Sequence, residues 1–199
     1  MKQTLATENP FDIFKSWFDE ARKSKEVSDH TEMCLATASK AGRPSARIVL
    51  LKKYDNKGFV FFTNYRGRKS VEMTENPFAS LCFYWPALEK QIRIEGRVER
   101  IAKKESDEYF LTRARESRIG AWTSKQSSEL ASREIFLEEM KEATEKFGEG
   151  EIVRPGFWGG WRVIPDKIEF WQAEEFRFHH RDVFERVSGN KWTKKLIYP

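Results

Sequence analysis

The densest group of side chains able to do chemistry lies in Ile168-Glu169-Phe170-Trp171-Gln172-Ala173-Glu174-Glu175-Phe176-Arg177-Phe178-His179-His180-Arg181. Arg177, His179 and Arg181 alternate by two, so on an extended chain they would share one face. Trp171, just upstream, offers a stacking surface. Two arginines flanking a histidine beside an indole can hold an anionic aromatic ring by charge and cation–π contact. The same residues would also serve as an exposed basic edge strand that resists aggregation.

Anion-binding chemistry recurs elsewhere. Arg47-Ile48-Val49-Leu50-Leu51-Lys52 places a cation at each end of an apolar strand, where a charge is costly to bury without a partner. Strict alternation would point Arg47 and Lys52 to opposite faces. A second run, Phe62-Thr63-Asn64, leads through Tyr65-Arg66-Gly67 to Arg68-Lys69 at an expected helix start. Backbone N–H groups, the helix dipole and two cations would suit a phosphate there. Solvated surface charge is the alternative for both segments. Tyr109, Arg113 and Ser117 are spaced by four, which aligns them on one face if a single helix runs through them. They would make a phosphate cradle or an ordinary amphipathic surface. Gln126-Ser127-Ser128 is a polar patch before the next helix, with capping as its simpler use.

Other chemistries lack their residues. No glycine-rich phosphate loop of the dinucleotide-binding or P-loop type occurs. His30, His179 and His180 are the only histidines, and none has zinc-site spacing. No serine sits on a nucleophile elbow. Any reaction is therefore expected to belong to a bound organic cofactor.

The elements that must position these residues can be read from pattern. Asn9-Pro10 opens a helix whose stripe is Phe11, Phe14, Phe18 and Ala21, running to about residue 25. Strands are predicted over about 33–39, 45–53, 59–64, 79–85 and 91–101, joined by connections short enough to favour antiparallel hairpins. A short helix follows Arg68, a helical stretch covers about 104–122, and another runs over 132–147 with Ser132 as its cap. Strands return at about 160–165, 167–172, 183–187 and 192–198. The expectation is one mainly β domain of 199 residues, an antiparallel barrel or strongly curved sheet with flanking helices. Aromatic residues make up 14% of the chain, enough for a core plus a planar ligand or an interface. Cys34 and Cys82 lie in apolar runs without partners at metal spacing, as in a reduced, cytoplasmic protein. No apolar run is long enough to span a bilayer. The net charge of +5 is spread among acids, which argues against a nucleic-acid partner.

The run from Glu169 to Arg181 closely resembles the signature of the pyridoxamine 5′-phosphate oxidase family, an acidic-aromatic-Trp-Gln run followed by Arg-x-His-x-Arg. The resemblance extends from about Asn9 to Pro199. It takes in Arg-Ile-Val-Leu-Leu-Lys (47–52), Phe-Thr-Asn (62–64), Arg-Lys (68–69), Glu-Lys-Gln (89–91), Ile-Gly-Ala-Trp (119–122), Ser-Lys-Gln-Ser-Ser (124–128) and Phe-Trp-Gly-Gly (157–160). It implies a homodimeric FMN-binding split barrel with two FMN molecules at the subunit interface, residues from about 157 to 199 forming the dimerisation and substrate portion.

By the same resemblance, FMN would be held by the segment Arg47 to Lys52, by Phe62, Thr63, Arg68, Lys69 and Gln91, with Trp171 and Arg181 near its ring. Gln126 and Ser127 would reach in from the other subunit. The substrate would meet Lys52, Tyr109, Arg113 and Ser117 at its phosphate, and Arg177, Phe178 and His179 at its ring. Arg177 and His179 would orient and polarise it. The implied reaction converts pyridoxine and pyridoxamine 5′-phosphates to pyridoxal 5′-phosphate, with a hydride leaving C4′ for the flavin and O2 ending as hydrogen peroxide. The amine would also release ammonia.

Three departures from the family pattern bear on this expectation. His180 stands where an acidic or amide residue is usual, and Phe178 replaces an aliphatic one. The sequence starts close to the first helix, without the basic arm that some members fold over the substrate, so substrate closure is expected to differ. A flavin oxidase of the phenazine-biosynthesis branch would keep the flavin residues but lose the Tyr109–Arg113–Ser117 cradle, and a non-catalytic binder of FMN or pyridoxal phosphate would turn nothing over.

Overall fold

The computed structural model describes residues 6–199. Its first helix, α1 (Pro10–Lys23), starts where Asn9 Oδ1 accepts the Phe11 N–H at 3.0 Å. Strands β1 (Glu32–Ala38), β2 (Pro44–Leu50), β3 (Lys53–Asp55) and β4 (Gly58–Asn64) follow, then helix α2 (Arg68–Glu75). Strands β5 (Phe78–Trp85) and β6 (Lys90–Arg100) lead into helices α3 (Lys103–Leu111), α4 (Arg115–Thr123) and α5 (Arg133–Phe147). Strands β7 (Trp158–Gln172), β8 (His180–Ser188) and β9 (Lys191–Leu196) complete the chain.

Every strand pairing is antiparallel, in the order β2-β1-β5-β6-β7-β4-β3, with β8 and then β9 added to the far half of β7. The sheet curls until β2 comes back against β4, which makes it a half-open barrel. Helix α1 fills it. Phe14 is fully buried, with its ring 4.8 Å from Phe59 and 5.5 Å from Phe83, both edge-on. Burying one such side chain contributes about 1.5–3 kcal/mol, and Phe11, Phe18 and Ala21 follow it inward. A second cluster of Phe110, Ile119, Ala121, Ile152 and Trp158 packs the later helices against the start of β7. Among the described residues, no helix is long and apolar enough to cross a membrane, and no group of acidic, histidine or cysteine side chains could hold a metal ion.

Four expectations drawn from spacing give way to local structure. The strand expected over 45–53 stops at Leu50. Leu51 faces the core in step with Arg47 and Val49, but it donates its N–H to Thr31 O, and Lys52 donates to Val60 O, so the ladder with β1 ends there. The helix expected over 104–122 is two helices. Thr112 breaks it by donating its hydroxyl to Tyr109 O at 2.8 Å, a side-chain bond that competes with the helical ladder. Conversely, the break expected near Pro165 is only a bulge, opposite the register shift between Glu95 and Gly96, so β7 runs on for 15 residues. Finally, residues 175–177 form a short 3-10 turn with positive φ at Phe176 (54°) and Arg177 (65°). Arg177, His179 and Arg181 therefore do not share an extended face.

Gly96 sits at the bulge so close to β7 that a Cβ there would lie 2.0 Å from Ile164 O. Gly96→Ala should cost roughly 1–3 kcal/mol in a urea unfolding curve. Unchanged stability would mean that β6 and β7 do not approach this closely.

Candidate functional site

A pocket of about 690 Å³ opens where β2, β4, α2, α3 and α4 converge. Arg47, Ile48, Val49, Leu50 and Lys52 line one wall, and Phe62, Thr63, Lys69 and Gln126 line another. The alternation of β2 runs unbroken through Leu51, and Arg47 and Lys52 serve the same cavity because it takes residues from both faces of this edge strand. Leu51 itself faces the core and does not contribute.

At one end, Lys69 Nζ donates to Gln126 Oε1 at 2.9 Å and Thr63 Oγ1 at 3.3 Å, and the Thr63 hydroxyl donates to the same Gln126 oxygen at 3.1 Å. Burial, reinforced by the neighbouring Arg47 charge, pushes the Lys69 pKa down. Lys69 forms no ion pair among the described residues, so an anion placed here would gain an uncompensated cation. Arg68, next to Lys69 but outside the pocket lining, is 62% exposed, with its Nε bonded to Glu72 at 2.8 Å and its backbone N–H donated to Ser127 Oγ at 3.1 Å. Gln126 and Ser127 thus meet Thr63, Lys69 and Arg68 of their own chain, where the resemblance has them reach in from the other subunit. The loop after α4 folds back on α2 closely enough for these bonds. Gly67 allows it, since a Cβ there would lie 2.5 Å from Gln126 Oε1.

At the other end lie Tyr109, Arg113 and Ser117. No single helix aligns them; the break at Thr112 does, by turning α4 so that Ser117 faces the residues of α3. Phe62 stacks on Tyr109 at 3.9 Å and 15°, and Trp158 continues the stack. The Arg113 guanidinium lies 4.6 Å above the Trp158 ring, and its buried Nη1 has no hydrogen-bond partner. Burial pushes the Arg113 pKa down and the Tyr109 pKa up. A buried, unsatisfied guanidinium N–H beside two hydroxyls suits an anionic oxygen.

The remaining expected residues form a second cluster. Gln91, Trp171 and Arg181 are direct register neighbours across β6, β7 and β8. Arg181 donates to Glu169 Oε1 through Nε (2.9 Å) and Nη2 (2.7 Å), and to Tyr198 O through Nη1. The His179 ring lies 4.8 Å from Trp171, and its Nδ1 accepts the Glu174 N–H at 3.2 Å. Arg177 and Phe178 are exposed. None of these residues lines the pocket. Trp158 and Trp171 are thirteen residues apart on β7, about 40 Å of extended strand.

Three positions carry roles that the sequence reading does not assign. Trp158 carries Arg113, buried Glu169 holds Arg181, and buried Glu72 bonds Arg68. A carboxylate between Ile168 and Phe170 in an apolar strand was a signal for Glu169. Its spacing of four from Arg68 was one for Glu72.

Comparison with known proteins bears on this geometry. Residues 19–147 match the family described as pyridoxamine 5′-phosphate oxidase, and residues 158–199 match the pyridoxine 5′-phosphate oxidase C-terminal dimerisation region. The pyridoxine/pyridoxamine 5′-phosphate oxidase of Trichormus variabilis is 48% identical over 96% of this chain and 89% of its own. That of Myxococcus xanthus is 44% identical over 100% of this chain and 96% of its own. Among solved structures, PhzG from Burkholderia lata, in complex with tetrahydrophenazine-1-carboxylic acid, superposes with a TM-score of 0.87 at 30% identity, covering 96% of this chain and 93% of that one. A pyridoxamine 5′-phosphate oxidase-related, FMN-binding protein from Nostoc punctiforme shares the fold, with a TM-score of 0.78 at 16% identity over 98% of this chain and 100% of its own.

The two cationic ends of the pocket should each take a phosphate. Inorganic phosphate at about ten times its dissociation constant should raise the Tm by roughly 3–6 °C for each end it fills. The double variant Lys69→Ala/Arg113→Ala should lose the shift in a thermal melt, and an undiminished shift would place the anion elsewhere.

Proposed function

Because this chain belongs to the pyridoxamine 5′-phosphate oxidase family, we propose that it oxidises pyridoxine 5′-phosphate and pyridoxamine 5′-phosphate to pyridoxal 5′-phosphate, using FMN and O2. The observation that carries this reading is the pairing of two separate anion-binding ends in one pocket, which suits two phosphorylated ligands side by side. Lys69, Thr63, Gln126 and Arg68 fit the FMN phosphate, with Arg47 and Lys52 along the wall. Tyr109, Arg113 and Ser117 fit the phosphate of the substrate.

FMN, bound there, supplies two-electron oxidation with O2 as final acceptor and hydrogen peroxide as product. The protein contributes position and charge. Arg113, unsatisfied at Nη1 and braced on Trp158, grips the substrate phosphate and fixes its distance from the flavin. His179 accepts at Nδ1 from the Glu174 N–H, so its ring N–H lies at Nε2, where it can donate to the substrate. Arg177 adds charge beside it. Oxidation of the alcohol gives the aldehyde directly, and the amine requires water to release ammonia.

The second cluster lies too far along β7 to reach the pocket of its own chain. We therefore assign it to a homodimeric site, in which Gln91, Trp171, Arg177, Phe178, His179 and Arg181 of one copy close the pocket of the other. Two features support this reading. Residues 158–199 match the family's dimerisation region. Ile48 on edge strand β2 is 61% exposed, and Tyr84 and Phe78 on β5 are similarly bare, as an interface would require. Residues 1–199 are then one domain, with 157–199 as its dimerisation and substrate portion.

Anaerobic titration with pyridoxine 5′-phosphate tests the reading. The flavin absorption should bleach, then return with peroxide when air is admitted. Arg113→Ala and Arg177→Ala should keep the flavin and lose roughly 10–100-fold in kcat/KM, the effect of a lost charge-assisted contact. A yellow protein that does not bleach would point to a substrate without the phosphate, of the kind seen with the Burkholderia neighbour. Failure to take up FMN would overturn the reading.

A further inference from the structure

Glu72 is a carboxylate buried to 95% beside a pocket built for anions, which is an unfavourable place for a negative charge unless it has a task. Its surroundings define one. Thr37 and Ser45 both donate their hydroxyls to Glu72 Oε2, the latter at 2.6 Å. The same two hydroxyl oxygens accept from Arg47, Thr37 from Nη1 and Ser45 from Nη2. Arg47 Nη2 also lies 3.5 Å from Oε2, and Arg68 Nε donates to the other oxygen, Oε1, at 2.8 Å. Arg47 and Arg68 stand on different elements, β2 and α2, and Glu72 is the group that both touch.

The two oxygens have different duties. Oε2 faces inward and closes a ring with Thr37, Ser45 and Arg47. Oε1 faces outward and holds one N–H of Arg68, whose side chain is otherwise 62% exposed and free to wander. Burial alone would push the Glu72 carboxyl up, but hydrogen bonds from Ser45, Thr37 and Arg68 outweigh it and hold the pKa at about 2. The group is therefore ionised throughout the physiological range.

We propose that Glu72 is a positioning residue for flavin phosphate recognition, holding the Arg68 guanidinium beside the pocket-lining Arg47 so that its remaining N–H groups face the phosphate. This rests on the assignment of FMN to that end of the pocket. The charge cost of a nearby carboxylate is borne because Arg47 and the hydroxyls already absorb it on the Oε2 side.

Glu72→Gln separates these duties. The amide oxygen can replace Oε2 in the inner ring, which leaves the amide nitrogen, a donor, facing the Arg68 Nε donor. The variant should stay folded and release Arg68. Flavin fluorescence quenching, with the full-length protein stripped of flavin, reads the outcome. Glu72→Gln should weaken FMN about tenfold, the order of one charge-assisted hydrogen bond, and leave riboflavin, which lacks the phosphate, unchanged. Arg68→Ala should do the same, and the double variant should be no worse than Arg68→Ala alone, since the two residues act as one unit. FMN affinity equal to or above wild type in Glu72→Gln, equal weakening of both flavins, or additive losses in the double variant would each overturn the proposal. Wild-type protein that takes up neither flavin would overturn the functional reading as well, which separates the two failures.

Discussion

Strand β7 is the constraint on which the rest of the molecule depends. Its first residues pair with β4 and carry Trp158, the platform under Arg113, while its last residues pair with β6 and β8 and carry Trp171. Continuity through Pro165 is possible because the opposing strand bulges at Glu95 and Gly96, and Gly96 leaves room for the close approach. One rigid strand therefore holds two chemically complementary groups apart. The barrel, filled from inside by α1, keeps the two groups apart, and the proposed site accordingly draws on two copies of the chain.

The pocket's electrostatics follow from the same frame. Cations brought together by tertiary structure must be held apart from one another or balanced until a ligand arrives. Lys69 is left unbalanced and its pKa falls; Arg113 is left with an unsatisfied N–H; Arg47 and Arg68 are tethered through Glu72. In the second cluster, buried Glu169 does the equivalent service for Arg181 and Arg93. Arg47, Arg68, Arg113 and Arg181 are each braced by a carboxylate or an aromatic face, and that bracing turns flexible side chains into a site of fixed geometry.

Sequence pattern revealed the elements well where one local rule governed them. The Asn9-Pro10 opening and the phenylalanine stripe of α1 behaved as spacing predicts, because capping and amphipathic burial act within a few residues. Site residues were legible by type and motif, and less so by geometry. Periodicity sends Arg47 and Lys52 to opposite faces of β2, and it gives no sign that the pocket takes both faces of this edge strand. It would also have run one helix from Tyr109 to Ser117, but the Thr112 hydroxyl competes for Tyr109 O. Phe176 and Arg177 adopt positive φ without glycine or asparagine to signal it, so the turn before β8 had no local mark. Which chain supplies Gln126 is a question of loop packing, and no spacing encodes it.

The most direct test of a site shared between two copies is subunit mixing. Arg113→Ala damages the pocket and Arg177→Ala damages the second cluster, so each variant alone should be nearly inactive. After the two are unfolded together and refolded, half of the dimers should be hybrids, and each hybrid has one site built from two intact halves. Activity should return to about a quarter of the wild-type value, as expected for a two-fold symmetric dimer that mixes at random. Hybrids that form, as seen by mass, and yet remain inactive would mean that both halves of the site belong to one chain.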